Sequence, residues 1–263
     1  MNELKFALYA IKKNIQSSAE LRTSFLMNVI GMALNNIAFI ILWVFFVKSV
    51  GIIGGWTASD IIGMQGFLAI SYGIVFSACG GLRKLADYVS SGSFDRFMLS
   101  PKNLLLRIAT SAFGASALGD LTFGIVGLIA YAFLIHASVF QILLAIPLII
   151  ISTLVFFSAV VTVYSFSFFF VDANTVTTGL FELFMTPTLF HGGAFQGGMR
   201  FVYTFIIPSL LVGALPIEAI RNFTPDKIIL LFTLSIFWFF LSINIFKYGV
   251  RKYESANFMT FGG

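Results

Sequence analysis

Apolar stretches of about 20 residues recur along the chain, separated by short polar gaps, and positive charge gathers in alternate gaps. Residues 24–47 contain no Asp, Glu, Lys or Arg, and residues 121–171 contain none either, with His136 near their middle. A helix of about 20 apolar residues crosses a hydrocarbon core roughly 30 Å thick. The pattern therefore predicts transmembrane helices at 24–47, 60–79, 108–135, within 139–170, at 176–191 and at 228–246. Ahead of them, Leu4, Leu8, Ile11 and Ile15 share one helical face, with Lys5, Lys12 and Lys13 largely off it. That is the pattern of a helix lying in the membrane interface, its lysines toward anionic headgroups; a solvated helix ahead of the first span is the alternative.

Residues 192–216 break the rhythm. Gly192, Gly193, Gly197, Gly198, Pro208, Gly213 and Pro216 punctuate an apolar piece at 201–215 that is short for a crossing. A re-entrant segment is predicted, with protein or water satisfying its freed backbone groups. Phe201, Phe205 and Ile206 are its candidate apolar plug, closing the outer mouth of a pathway; a simple interfacial tether is the alternative. The fold class expected is an all-α integral membrane protein with six transmembrane helices, an N-terminal interfacial helix (1–22), a helical cytoplasmic loop (80–107) and a re-entrant segment (192–216). All of these belong to one membrane domain spanning 1–263.

Charge sets the orientation. If 201–215 returns to its own side, the N-terminus, the 80–107 loop and the tail share a face and carry 12 of the 16 Lys and Arg. Lys48, Arg200, Arg221 and Lys227 lie opposite. Basic residues are retained on the cytoplasmic side, so both termini are expected there. A true crossing at 201–215 would move the tail, with Lys247, Arg251 and Lys252, to the outside.

Composition narrows the chemistry. At 59% hydrophobic and 10% charged, the chain lies outside the soluble range. The net charge of +5 is spread over several loops, which fits membrane retention and membrane lipids rather than nucleic acid. A span longer than a signal-peptide core follows Arg22, so no cleaved leader is expected. The single Cys79 excludes an internal disulfide and a cysteine metal cluster. His136 and His191 have no partners at ligand spacing, so no metal site is expected. No nucleophile–base set suggests an enzyme.

The 80–107 gap is the richest local feature. Leu82, Leu85 and Val89 recur at helical spacing with Arg83, Lys84 and Asp87 between them, and Tyr88 follows. Gly92 is placed to end that helix, Ser93 to cap a second turn containing Asp95 and Arg96, and Pro101 to stop it. Such an element suits docking to a cytoplasmic partner; an ordinary interfacial loop helix is the plain alternative. Within the spans, Asp120 stands beside a face of small residues, with Ser116 and Gly124 a turn away. Glu182 precedes Pro187, and Asn28, Gly31 and Asn35 share a face of the first span. Asn35, Asp120 and Glu182 are the intramembrane polar candidates. Each is either interhelical glue or a pathway group, because carboxylates in lipid need a partner or a proton.

The order of these features resembles a type-2 ATP-binding-cassette export permease. More narrowly, Ser91-Gly92-Ser93-Phe94-Asp95-Arg96-Phe97-Met98-Leu99-Ser100-Pro101 resembles the G-x-x-D-x-x-L-x-x-P loop of a bacterial branch of that family. Ile206-Ile207-Pro208 with Leu215-Pro216, and the terminal Arg251-Lys252-Tyr253-Glu254-Ser255-Ala256, resemble it too. Met98 and Leu99 depart from it, standing where that loop usually has Leu and Arg. The resemblance implies a non-enzymatic subunit in a bacterial plasma membrane. It would form half of a translocation pathway with a second permease, with ATP and Mg bound by separate ATPase subunits and no cofactor on this chain. Leu82, Arg83, Lys84, Leu85, Asp87, Tyr88, Asp95 and Arg96 would couple it to those ATPases. In agreement, no G-x-x-x-x-G-K-[ST] phosphate loop occurs in the chain. A proton-coupled secondary transporter using Asp120 and Glu182 is the alternative; such proteins often carry paired broken helices, and only one broken stretch is visible.

Overall fold

The computed structural model describes residues 3–50 and 54–254, which are helical throughout with no strand among them. Ser255 and Ala256 of the terminal motif, and 51–53 of the first outer gap, lie outside the described residues. Helix α1 (Glu3–Glu20) leads into α2 (Arg22–Val50), and α3 (Ala58–Ala78) returns. A 3-10 turn at Gly80–Lys84 passes into the short helices α4 (Leu85–Ser90), α5 (Asp95–Met98) and α6 (Leu104–Ala109). Then come α7 (Ser116–Leu134), α8 (Val139–Ser165) and α9 (Ala173–Thr188). Next, α10 (Gly197–Phe201) runs into a π turn at Val202–Ile206, and α11 (Ala214–Arg221) precedes α12 (Pro225–Lys252).

Among the described residues, α2, α3, α7, α8 and α12 are the five helices long and apolar enough to cross a membrane. With 16 residues, α9 is shorter, yet it links the two ends of the bundle. At one end Asn174 donates to the Asp87 carboxylate at 2.9 Å; past the other, His191 packs against Trp56 with ring centroids 6.0 Å apart.

The two ends hold different sequence segments. At the first, Asn14 donates to the Thr110 carbonyl at 2.8 Å, the Asn103 N–H donates to Glu3, and Phe94 packs against Tyr253 at 4.7 Å. Burial, with the Asp95 carboxylate beside it, pushes the Tyr253 hydroxyl up to about 12, so it stays protonated at neutral pH. The start of α1, the loop after α3 and the end of α12 therefore share one end, the grouping that charge predicts. At the opposite end, Gln141 donates to the Ile220 carbonyl at 3.1 Å and Phe140 packs against Phe223. Leu8 is exposed on α1.

Helix α3 is the buried centre, whereas α2 is at most half-buried along its most apolar stretch. Glycines explain the difference. A Cβ at Gly73 would stand 2.6 Å from the backbone nitrogen of Leu121, and one at Gly124 would stand 2.6 Å from that of Ile70. Gly63 and Gly66 likewise abut Tyr131 and Leu128. Small residues bring helix backbones close in lipid, where dispersion rather than the hydrophobic effect holds helices together.

One expected element changes. The span predicted at 108–135 is divided, because α6 ends at Ala109 and α7 begins only at Ser116. The bend is sealed against α3: the Gly114 N–H donates to the Phe76 carbonyl at 3.1 Å. Gly81 lies against it so closely that a Cβ there would collide with the Ile108 carbonyl oxygen. The small residues at 111–115 thus serve a backbone crossing and do not extend a helical stripe.

The broken stretch is covered by neighbouring side chains and helices. Ser209 donates to the Phe184 carbonyl at 2.8 Å, and Leu210, Leu211 and Val212 are buried.

Replacing Gly124 with Leu forces α3 and α7 apart and is expected to lower thermal stability in detergent by about 1–3 kcal/mol, the usual cost of overpacking. Gly31→Leu on α2, where nothing lies within 4 Å, is expected to leave the melting temperature unchanged.

Candidate functional site

A polar cavity of about 490 Å³ opens between α2 and α9, bounded by α3, α7 and α8. The three intramembrane candidates meet in it: Asn35 from α2, Asp120 from α7 and Glu182 from α9 all line its wall, with Asn36, Gln65, Tyr72 and Tyr164. Asn35 and Glu182 are exposed at its edges, and Asp120 is buried.

Backbone proximity sets the polar contact. Gly119 meets the Val29 carbonyl oxygen so closely that no side chain fits. That approach brings Asn36 to donate to Asp120 Oδ1 at 2.7 Å. Gln65 is held by the Leu189 carbonyl at 3.2 Å.

The cavity also holds a cation that sequence reasoning placed elsewhere. Arg83, expected in the docking set, reaches the cavity and donates to the Tyr72 hydroxyl at 3.1 Å. Its guanidinium lies 4.7 Å from the Phe76 ring centroid and 5.8 Å from that of Phe181, distances at which the ring face attracts a cation. Arg83 stands in the 3-10 turn after α3, so helical spacing continued from α3 could not have placed it in the cavity.

The other docking candidates separate by burial. Leu82 and Leu85 are fully buried and anchor the loop. Tyr88 pairs its hydroxyl with Ser111 at 3.1 Å and its ring with Phe97, and Asp87 is held by Asn174. Gly92 takes φ +68, the left-handed conformation expected of it. The second turn starts at Phe94 instead of being capped by Ser93, because the Phe94 ring is buried against Phe168 and Tyr253. Asp95 lies beside Tyr253. What projects outward is Lys84, Arg96, Met98 and Leu99, the last 86% exposed.

The plug candidates Phe201, Phe205 and Ile206 are exposed and line none of the polar cavity. Phe201 and Phe205 pack against each other with tilted rings, centroids 5.0 Å apart.

At the outer end two ion pairs stand where sequence reading saw only scattered basic residues. Arg200 binds Glu218 at 2.6 Å. Arg221 binds the buried Asp60 at 3.3 Å and donates to the Gly55 carbonyl at 2.8 Å. Asp60 is also fixed by Thr57 in a capping box at the start of α3.

A bundle of long apolar helices around a polar cavity is the architecture of a multi-pass membrane permease. The chain matches the family described as "ABC-2 family transporter protein" over residues 33–257, and it belongs to that family. It is a permease component of an ABC transporter. No curated protein matches the chain.

Arg221→Met leaves the Asp60 carboxylate buried without its cation. It is expected to lower stability by about 1–3 kcal/mol, the usual cost of stranding a buried acceptor. Asp60→Asn added to it is expected to recover part of that loss in thermal unfolding of the detergent-solubilised protein.

Proposed function

We propose that this chain is the transmembrane half of an ATP-driven exporter, working with a second permease subunit and two separate ATPase subunits in a bacterial plasma membrane. The observation that carries the reading is the polar cavity, open along one side of the single chain beside α2, whose most apolar stretch has no buried residue. A second permease seated against that side completes a pathway. Six crossings, with α9 as the short fifth, put both termini in the cytoplasm and the Arg200–Glu218 and Arg221–Asp60 pairs outside. The basic loop and tail then lie where basic residues are retained.

The ATPases dock on the projecting tip of the loop, formed by Lys84, Arg96, Met98 and Leu99. Leu82, Leu85 and Phe94 are buried beneath it, so a push on the tip is passed to the bundle through packed side chains. Arg83 continues the same turn into the cavity and links ATPase movement to the pathway wall.

Single cysteines at Ser90 and Glu254 are expected to react with impermeant maleimide only from the cytoplasmic side, and one at Ala194 only from outside. Labelling of the Glu254 position from outside removes the six-crossing arrangement.

Met98→Glu combined with Leu99→Glu is expected to cut ATPase co-purification at least ten-fold while the permease still inserts. Arg83→Gln is expected to keep the ATPase bound but reduce stimulation of its hydrolysis. Undiminished association in the double variant removes the tip from the docking surface.

A further inference from the structure

One cation, Arg83, and two carboxylates, Asp120 and Glu182, line the polar cavity. Arg83 donates to the Tyr72 hydroxyl and lies over the Phe76 ring. Asp120 is 4% exposed; its Oδ1 accepts from Asn36, while its buried Oδ2 has no hydrogen-bond partner. Glu182, at the cavity's edge, makes no hydrogen bond or ion pair among the described residues. A carboxylate as buried as Asp120 is costly in a membrane bundle without a partner or a proton, and opposite charges attract strongly where water is scarce. The remaining wall supplies the aromatic side chains Phe39, Phe123 and Phe181, whose ring faces also attract cations. An anion would meet two carboxylates here, and a guanidinium already engaged with Tyr72 and Phe76.

We propose that the cavity is a subsite for an organic cation on an aromatic or apolar body, its positive group held between Asp120 and Glu182. The assignment rests on reading the cavity as half of the translocation pathway. Arg83 is then a tethered stand-in for the substrate. It partly offsets the carboxylates when the site is empty, and an arriving cation repels it. Because Arg83 belongs to the Gly80–Lys84 turn immediately before α4, that repulsion is delivered to the base of the loop on which the ATPases dock.

The test titrates the purified full-length permease with tetraphenylphosphonium and with tetraphenylborate, its anion of matched size and shape. Saturable binding above that of empty micelles is followed by equilibrium dialysis. The wild-type protein is expected to bind the cation and not the anion. Asp120→Asn, which keeps an acceptor for Asn36, is expected to weaken cation binding at least ten-fold. Glu182→Gln, at an exposed position, is expected to weaken it several-fold. Arg83→Gln, which removes the competing charge, is expected to tighten it several-fold.

Thermal unfolding of each variant reports folding, and Glu182→Gln keeps the test decisive if Asp120→Asn unfolds. Three results overturn the assignment: no saturable binding of the cation to wild type, cation binding untouched by both carboxylate replacements, or saturable tetraphenylborate binding that Arg83→Gln abolishes. Failure of cation binding with ATPase co-purification intact overturns the cation site and leaves the permease reading standing. Cation binding without any ATPase association overturns the permease reading and supports the cation site.

Discussion

The contact between α3 and α7 organises everything else. In a bilayer no water is released when two apolar helices meet, so close backbone packing must supply what the hydrophobic effect supplies elsewhere. Gly66 and Gly73 on one helix and Gly124 on the other remove the side chains that would keep the backbones apart. With α3 fixed as the centre, Gly119 on the next face of α7 admits α2, and Asn36 reaches Asp120. Beside that contact, between α2 and α9, lies the polar cavity, with Asn36 and Asp120 in its wall.

The second constraint is that backbone polar groups cannot be left bare in hydrocarbon. The two places where helical structure is interrupted within the bundle both obey it. The bend between α6 and α7 is closed by the Gly114 N–H on the Phe76 carbonyl. The turn after the π segment is covered by Ser209 on the Phe184 carbonyl and by burial of Leu210 to Val212. The end of α12 meets the loop after α3 through Phe94 and Tyr253.

Charge acts in three distinct ways in this molecule. Most of the Lys and Arg lie on one end and set orientation through numbers alone. Arg200 and Arg221, at the other end, are paired with Glu218 and Asp60 and fasten α10 and α11 to each other and to the start of α3. Arg83 belongs to neither group. It is carried by the loop but engaged at the cavity by Tyr72 and Phe76, so one residue joins the loop to the cavity wall.

Residue order alone was enough for the membrane class, the long apolar stretches that form α2, α3, α7, α8 and α12, the shared end of α1, the loop and the end of α12, the helix end at Gly92 and the three polar candidates Asn35, Asp120 and Glu182. These follow from hydrophobic length, basic-residue distribution and residue type, which are properties of single segments. It did not determine that Asn35, Asp120 and Glu182 share one cavity, that Arg83 joins them, or that Asp60 and Arg221 pair across 161 residues. Nor did it show that the third predicted span bends at 110–115 or that Phe201, Phe205 and Ile206 face outward. Only the tertiary structure decided those, because each depends on which backbone passes closest to which. That is set by glycines on two different helices meeting, and one segment's periodicity carries no record of its partner.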